Sequence, residues 1–328
     1  MPGTAVRKTG AAIVALTATL IAVLPLHAQE AWPSRTIVIV VATSPGSAGD
    51  IYSRLYSQKI SEATGWRFLV ENKPGAGAIL GTTFVARAAP DGHTLLNASS
   101  SMTTAPVLYK NVSFDPVRSF TAITLLSNAP SMLLVRTGYP ARNLQEYVAY
   151  AKANPGKVNF GTTGVGSISH LTGFQLHRIL GVDVTYVPYK GPADVAAAIA
   201  SGEIHTTLGA MTVNLPMVKA GKASILGVST LKRNRMIPDV PTLSEAGAKG
   251  FEHDAWTGLV APAGVPAGII TRLNAEFQKA GKHPDVAQKL APTGQLFGGS
   301  SIEEFQRLIV REAERWKTLA REANLQPE

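Results

Sequence analysis

Ser44-Pro45-Gly46-Ser47-Ala48-Gly49-Asp50 is entered by a β-type run, Thr36 to Val41, and left by a helical pattern with Ile51, Leu55, Tyr56 and Ile60 near one face. The turn therefore sits where a strand hands over to a helix N-terminus. Small residues there let backbone N–H groups approach a ligand, and the helix end carries roughly half a positive charge. An anion trap results. Asp50 is expected to cap its helix and fix the loop, since a catalytic carboxylate there would repel the anion that the amides attract. A second turn of this kind, Phe160-Gly161-Thr162-Thr163-Gly164-Val165-Gly166-Ser167, again lies between a strand and a helix. Two such turns point to a ligand gripped from two sides.

Outward from these turns, strand-like and helix-like patterns alternate, which predicts α/β architecture with largely parallel sheets. Strands are expected at Thr36–Val41, Phe68–Glu71, Thr94–Asn97, Ala122–Leu126, Leu133–Arg136, Val158–Phe160, Val182–Val187, Ile204–Leu208, Ile225–Val228 and Thr257–Ala261. Asn143 with Glu146 three residues on has the spacing of a capping box, and so has Ser300 with Glu303 before the last helix. Pro192 opens another helix and Gly202 closes it. The last helix carries Phe305, Leu308, Ile309, Trp316 and Leu319 on one face, a stripe that should pack on a core.

The chain has 328 residues, a formal charge of +9 and no cysteine. Residues 1–28 read as an export signal: Arg7 and Lys8, an apolar run from Ala11 to Leu24, and Leu26-His27-Ala28 as the cleavage end. The run is short of the roughly 20 residues that a membrane span needs; a retained anchor is the alternative. Without cysteine there is neither a lipid-modified N-terminus nor a disulfide framework. Basic residues are dispersed, and the one dense patch, Lys232-Arg233-Asn234-Arg235, lacks interleaved aromatics, so no nucleic-acid partner is expected.

Several chemistries have no motif here. There is no GxxxxGK[ST] phosphate loop, no HExxH and no GxSxG, and Gly75-Ala76-Gly77 with Gly81 misses the dinucleotide fingerprint by one residue. The seven histidines form no metal set. No cofactor and no metal are expected. His177 reads as a packed histidine and His170 as a helix-start residue beside the glycine turn.

Trp32-Pro33-Ser34-Arg35, the Ser44–Asp50 turn, Val70 to Gly77, Ala89 to Leu96, Ala153 to Lys157, Gly161 to Leu171, Val187 to Gly191, Lys219 to Lys222, Pro238 to Thr242 with Glu245-Ala246-Gly247, and Leu259 to Gly264 follow in order along nearly all of the chain after residue 28. As a set they resemble the extracytoplasmic solute receptors of the tripartite tricarboxylate transporter system, the Bug or TctC-type family. The resemblance implies a two-domain periplasmic-binding-protein (Venus flytrap) α/β fold with crossing hinge strands. Its domains are expected at 29–127 with 258–328, and at 128–257, the crossings lying near Thr124–Arg136 and Asp254–Pro262. It also implies a small carboxylate ligand, a membrane permease with one large and one small subunit, and no catalytic residue. A monomer in the periplasm is expected.

Carried over by motif, the first domain's contacts are Ser44, Gly46, Ser47, Ala48, Gly49 and Asp50, with Ser99, Ser100, Ser101 and Met102. The second domain's are Thr162, Thr163, Gly166, Ser167 and His170, while Tyr189, Gly209 and Ala210 line the cleft. Three departures stand out. Thr43 replaces an aromatic of the family's first loop, Met211-Thr212-Val213 replaces an Asn-Leu-Pro pattern, and Gly209 stands where many relatives carry an aspartate. The last argues against an amino-acid ligand and for a purely anionic or aromatic acid. An exported hydrolase using Ser47 or Ser167 with His170 is the alternative from another class. A ligand-sensing partner of a membrane signalling protein is a third.

Overall fold

In a computed structural model of the chain, residues 3, 32–165, 167–290, 296–297 and 299–327 are described. The export signal therefore lies outside the described residues, apart from Gly3. Among the described residues no helix is long and apolar enough to cross a membrane.

The first part of the chain alternates β1 (Ile37–Val41), α1 (Ala48–Thr64), β2 (Phe68–Asn72), α2 (Ile79–Ala86), β3 (Thr94–Ser99) and α3 (Ser100–Leu108). A long strand, β4 (Phe120–Arg136), leads to α4 (Leu144–Ala153), β5 (Asn159–Thr162), α5 (Ile168–Leu180), β6 (Thr185–Pro188), α6 (Pro192–Ser201), β7 (Thr206–Ala210), α7 (Met211–Lys219) and β8 (Ala223–Val228). The chain then returns through β9 (Asp254–Pro262) to α8 (Ala267–Gly281), α9 (Pro284–Leu290), β10 (Leu296–Phe297) and α10 (Ile302–Glu322).

The strands run in the order β2-β1-β3-β9-β4-β7-β5-β6, with β8 and β10 also paired to β4. Pairings among β1, β2 and β3, and among β5, β6 and β7, are parallel, because a helix crosses between each strand and the next. β4 serves both halves. Its Phe120–Pro130 stretch pairs antiparallel with β9, and its Ser131–Arg136 stretch pairs with β7 and β8.

Period-two alternation divides the side chains between two faces. Ile37 and Ile39 pack with Tyr52, Tyr56 and Phe277 on one face of the first half, whereas Val40, Leu96 and Val260 pack with Phe305 and Ile309 on the other. In the second half Leu133 and Val135 join Tyr147 and Phe160, while Met132 and Leu134 join Val195 and Ile199. A small cluster of Leu171 from α5 with Trp316 and Leu319 from α10 ties the last helix to the second half.

Three local expectations shift. The strands expected at Ala122–Leu126 and Leu133–Arg136 are one strand, which runs through Pro130 where pairing with β9 ends and pairing with β7 and β8 begins. The last helix is capped by Ser301 and Glu304 rather than Ser300 and Glu303. Ser300 is occupied elsewhere: its Oγ accepts from the Leu125 amide at 3.1 Å and its own amide donates to Thr124 Oγ1. On α1, Ile51 is 49% exposed and Tyr52 takes its place in the core. The Asn143 cap holds, its side chain accepting from the Glu146 amide, although Glu146 reaches back to the Arg142 amide rather than to Asn143's own.

Candidate functional site

Both glycine turns cap their helices, and the hydrogen bonds show which amides each keeps free. At the first, Ser47 is the N-cap and accepts from the Asp50 amide, and Ser47 Oγ lies 2.7 Å from Thr43 Oγ1. Asp50 fixes the loop as expected but leaves the capping to Ser47: its carboxylate accepts from the Gly46 amide at 3.0 Å and from Arg54. Burial works against its charge, but the bonds from Arg54 and Gly46 more than offset this and hold its carboxyl below the ordinary range. Gly49 is required for space, since a Cβ there would lie 2.8 Å from Asn97 Oδ1. The Ala48 and Gly49 amides, first and second in the helix, have no acceptor among the described residues.

At the second turn Ser167 is the N-cap, accepting from the His170 amide and donating to the Gly164 carbonyl. The Thr163 amide donates to Ser169 Oγ at 2.8 Å and the Ser167 amide to Gly164. The Ile168 and Ser169 amides, first and second in the helix, have no acceptor among the described residues. Gly166 lies outside the described residues.

A cavity of about 190 Å³ opens beside this second turn. Thr162, Thr163, Ile168 and Ser169 come to it from the β5–α5 hand-over, Pro192 and Val195 from α6, Gly209, Ala210, Val213 and Asn214 from β7 and α7, and Ser131, His253 and Ala255 from the crossing strands. Three helix N-termini therefore converge on one space, and among the described residues no Lys, Arg, Asp or Glu side chain lines it. Where Gly209 stands, an added Cβ would meet Asn214 Nδ2 at 2.4 Å. The neutral amide of Asn214, donating to the Ala210 carbonyl, occupies the room beside it.

The other expected site residues are placed as follows. Ser44, Gly46, Ser47, Ala48, Gly49 and Asp50 do not line this cavity, and neither do Ser99, Ser100, Ser101 and Met102. In that stretch Ser99 and Ser101 keep partial exposure, Ser100 is buried and accepts from the Trp256 amide, and Met102 belongs to the core. Thr163 and Ser167 also face a second cavity of about 200 Å³, whose other walls are Val107 to Tyr109, Val165 and the chain end at Leu325 and Gln326. His170 is half-buried, 4.9 Å from the Tyr186 ring, and burial lowers its pKa. Tyr189 lies in a separate surface groove with Lys190 and Asp194, its hydroxyl donating to Glu203. His177 is fully enclosed between Tyr147 and Tyr186. Among the described residues no group of His, Asp and Glu could hold a metal ion.

Sequence reasoning missed Ser131, Ser169, Thr207, Asn214 and His253. Ser169 was within reach, two residues past an N-cap serine. The rest reach the cavity only through topology.

Beside it, at the crossing, lies Asp254. Burial and then the neighbouring Glu252 carboxylate push its pKa up to about 7, against one hydrogen bond from Ser229. A raised folded-state pKa means that folding takes up a proton between about pH 4 and pH 7. The stability so gained is complete below pH 4 and is lost as pH rises through 7. Asp254→Asn should therefore stabilise the protein by about 1–3 kcal/mol at pH 8, after discounting for the carboxyl's partial contact with water, and by almost nothing at pH 3. Denaturant unfolding of both proteins across this range measures the difference; a pH-independent difference contradicts it.

Comparison with known proteins gives a consistent picture. The family model described as Tripartite tricarboxylate transporter family receptor (TctC) matches residues 53–325. A UPF0065 protein of Pseudomonas sp. is 35% identical over 297 residues, covering 90% of this chain and 88% of that protein. The solved structure of a protein from R. palustris with adipate superposes with a TM-score of 0.73 at 30% identity, over 90% of this chain and all of the other. MatC from Rhodopseudomonas palustris with bound malate gives a TM-score of 0.68 at 32% identity, over 88% of this chain and 99% of the other.

Proposed function

The chain belongs to the tripartite tricarboxylate transporter receptor (TctC) family of periplasmic solute receptors, and from that premise we propose that it captures a small dicarboxylate and delivers it to a membrane permease. Its fold is that of the two-lobed periplasmic binding proteins. The observation that carries the ligand class is the convergence of the α5, α6 and α7 N-termini on a cavity lined by hydroxyls and, among the described residues, by no charged side chain. Partial positive charge from aligned peptides is the attraction such a space offers, and it suits a carboxylate. The volume suits it as well. At about 190 Å³ the space lies below the roughly 300–1,000 Å³ typical of drug-sized ligands.

In this account the acid's carboxylate sits on the Ile168 and Ser169 amides. The lobe comprising 29–127 and 258–328 then closes over it, presenting Ala48, Gly49 and the accessible hydroxyls of Ser99 and Ser101. Charge-assisted hydrogen bonds contribute about 1.5–3 kcal/mol each, so four offset the ordering costs and leave micromolar affinity, about −8 kcal/mol. Amides and hydroxyls also permit release, which a transport receptor requires. Ligand bridging both lobes shifts the population toward the closed shape, and the permease recognises that shape. The second turn's serine is occupied as a cap, with Oγ bonded to the Gly164 carbonyl and the His170 amide, rather than poised as a nucleophile.

Calorimetric titration with adipate and malate, followed by small-angle scattering, tests this. Micromolar binding with a smaller radius of gyration is expected. Binding that leaves the radius unchanged refutes closure, and a failure of every acid in a carboxylate panel refutes the ligand class.

A further inference from the structure

His253 lies where the chain recrosses from the second half of the sheet to the first, its amide donating to the Ser229 carbonyl at 3.1 Å. The residue is only 4% exposed, and it forms part of the hinge-side wall of the cavity, with Ser131 and Ala255. Nδ1 is 3.1 Å from Arg315 Nη2. A guanidinium has donors and no acceptor, so Nδ1 must accept and the ring proton must reside on Nε2. Arg315 cannot swing away readily. It donates to the Glu252 carbonyl at 2.7 Å, pairs with Glu312 at 3.2 Å, and lies 4.5 Å over the Trp316 ring. Burial, and then the charge of Arg315, both disfavour a second proton on the imidazole. Nε2–H has no protein acceptor among the described residues, and it is not one of the fully enclosed unpartnered atoms either. A neutral ring with a fixed tautomer thus leaves one donor uncommitted, on a residue that lines the cavity.

We infer that His253 is a ligand-contacting residue whose Nε2–H receives the second carboxylate of a dicarboxylate, with Arg315 as the positioning residue that holds the tautomer. This rests on the carboxylate-receptor function proposed above. Two other polar side chains of the wall already donate elsewhere, Thr207 Oγ1 to the Gly161 carbonyl and Asn214 Nδ2 to the Ala210 carbonyl. The donor also discriminates. An ammonium in the second carboxylate's place would meet an N–H, with no side-chain carboxylate among the described residues lining the cavity to receive it. The polarity opposes amine-terminated acids as firmly as it favours diacids.

Adipate, hexanoate and 6-aminohexanoate share one chain length and differ at one end, so they isolate this contact. Calorimetry on wild type should rank adipate first. His253→Leu should weaken adipate by about tenfold or more, the loss of one hydrogen bond to a charged group, and leave hexanoate within about twofold. His253→Gln, which restores a donor, should recover part of the adipate affinity. On the wild-type protein, ¹⁵N-histidine spectra should show the Nε2–H tautomer and an Nε2 signal that moves with adipate but not with hexanoate. That measurement stands even where the leucine variant fails to fold. Equal losses for adipate and hexanoate, an Nδ1–H tautomer, or an Nε2 signal indifferent to adipate would overturn the assignment while sparing the carboxylate reading. Wild-type protein that binds none of the carboxylates overturns both.

Discussion

Trp316→Ala is expected to lower the free energy of unfolding by about 3–5 kcal/mol, the range for truncating a large buried aromatic. The indole is fully buried and lies with Leu319 against Leu171, where α10 meets α5. Its removal leaves a void between a helix packed on the first half of the sheet and one packed on the second. The void is shielded from collapse, because α10 is also held through Phe305 and Ile309 in another core cluster and through an Arg178–Glu322 ion pair to α5. Stabilities of single domains run to only about 5–15 kcal/mol, so this one change consumes a large share. A second effect follows from position. The same ring supports the Arg315 guanidinium and meets the His253 ring edge-on at 5.9 Å. Urea unfolding monitored by circular dichroism gives the stability difference, and a loss below about 1 kcal/mol would show that α10 is not the clasp described here.

The second large effect concerns binding. Ser169→Asp should reduce adipate affinity about 100-fold, or about 2.7 kcal/mol. Ser169 is the second residue of α5, and its amide is one of the donors left without an acceptor. A carboxylate grown from that position settles over its own helix N-terminus, so the protein supplies internally the anion that the ligand should bring. Two negative charges about 4 Å apart repel by about 4 kcal/mol at an effective dielectric of 20, and the loss should shrink as salt rises. The helix itself gains, because an acidic residue in the first turn complements its dipole. Loss of binding with an unchanged or higher melting temperature is therefore the signature. Adipate affinity within tenfold of wild type would remove the α5 terminus from the carboxylate site.

The parts legible in the sequence were those with local causes. The β1–α1 hand-over, the Asn143 cap and the Pro192–Gly202 pair each depend on residues a few positions apart, and each appears in the structure. The single strand β4 was not legible, because its two segments take different neighbours on either side of Pro130, and neighbours are a property of the whole sheet. The capping serine of α10 was displaced by one because Ser300 is held by Thr124 and Leu125, residues 176 and 175 positions away. The missing acid at Gly209 could be read directly, but Asn214 could not be seen filling its place. His253 gave no signal at all. Its meaning comes from Arg315, 62 positions later, and from the crossing that brings both to one wall.

β9 lies between β3 and β4, hydrogen-bonded to both. A nascent chain that ends before Asp254 consequently has a split first half: β3 and the early part of β4 are two open edges with nothing to join them. Such edges invite pairing with other chains. Synthesis must pass Pro262 before the lobe that was begun first can close, so a prematurely terminated product should aggregate rather than persist as a folded fragment.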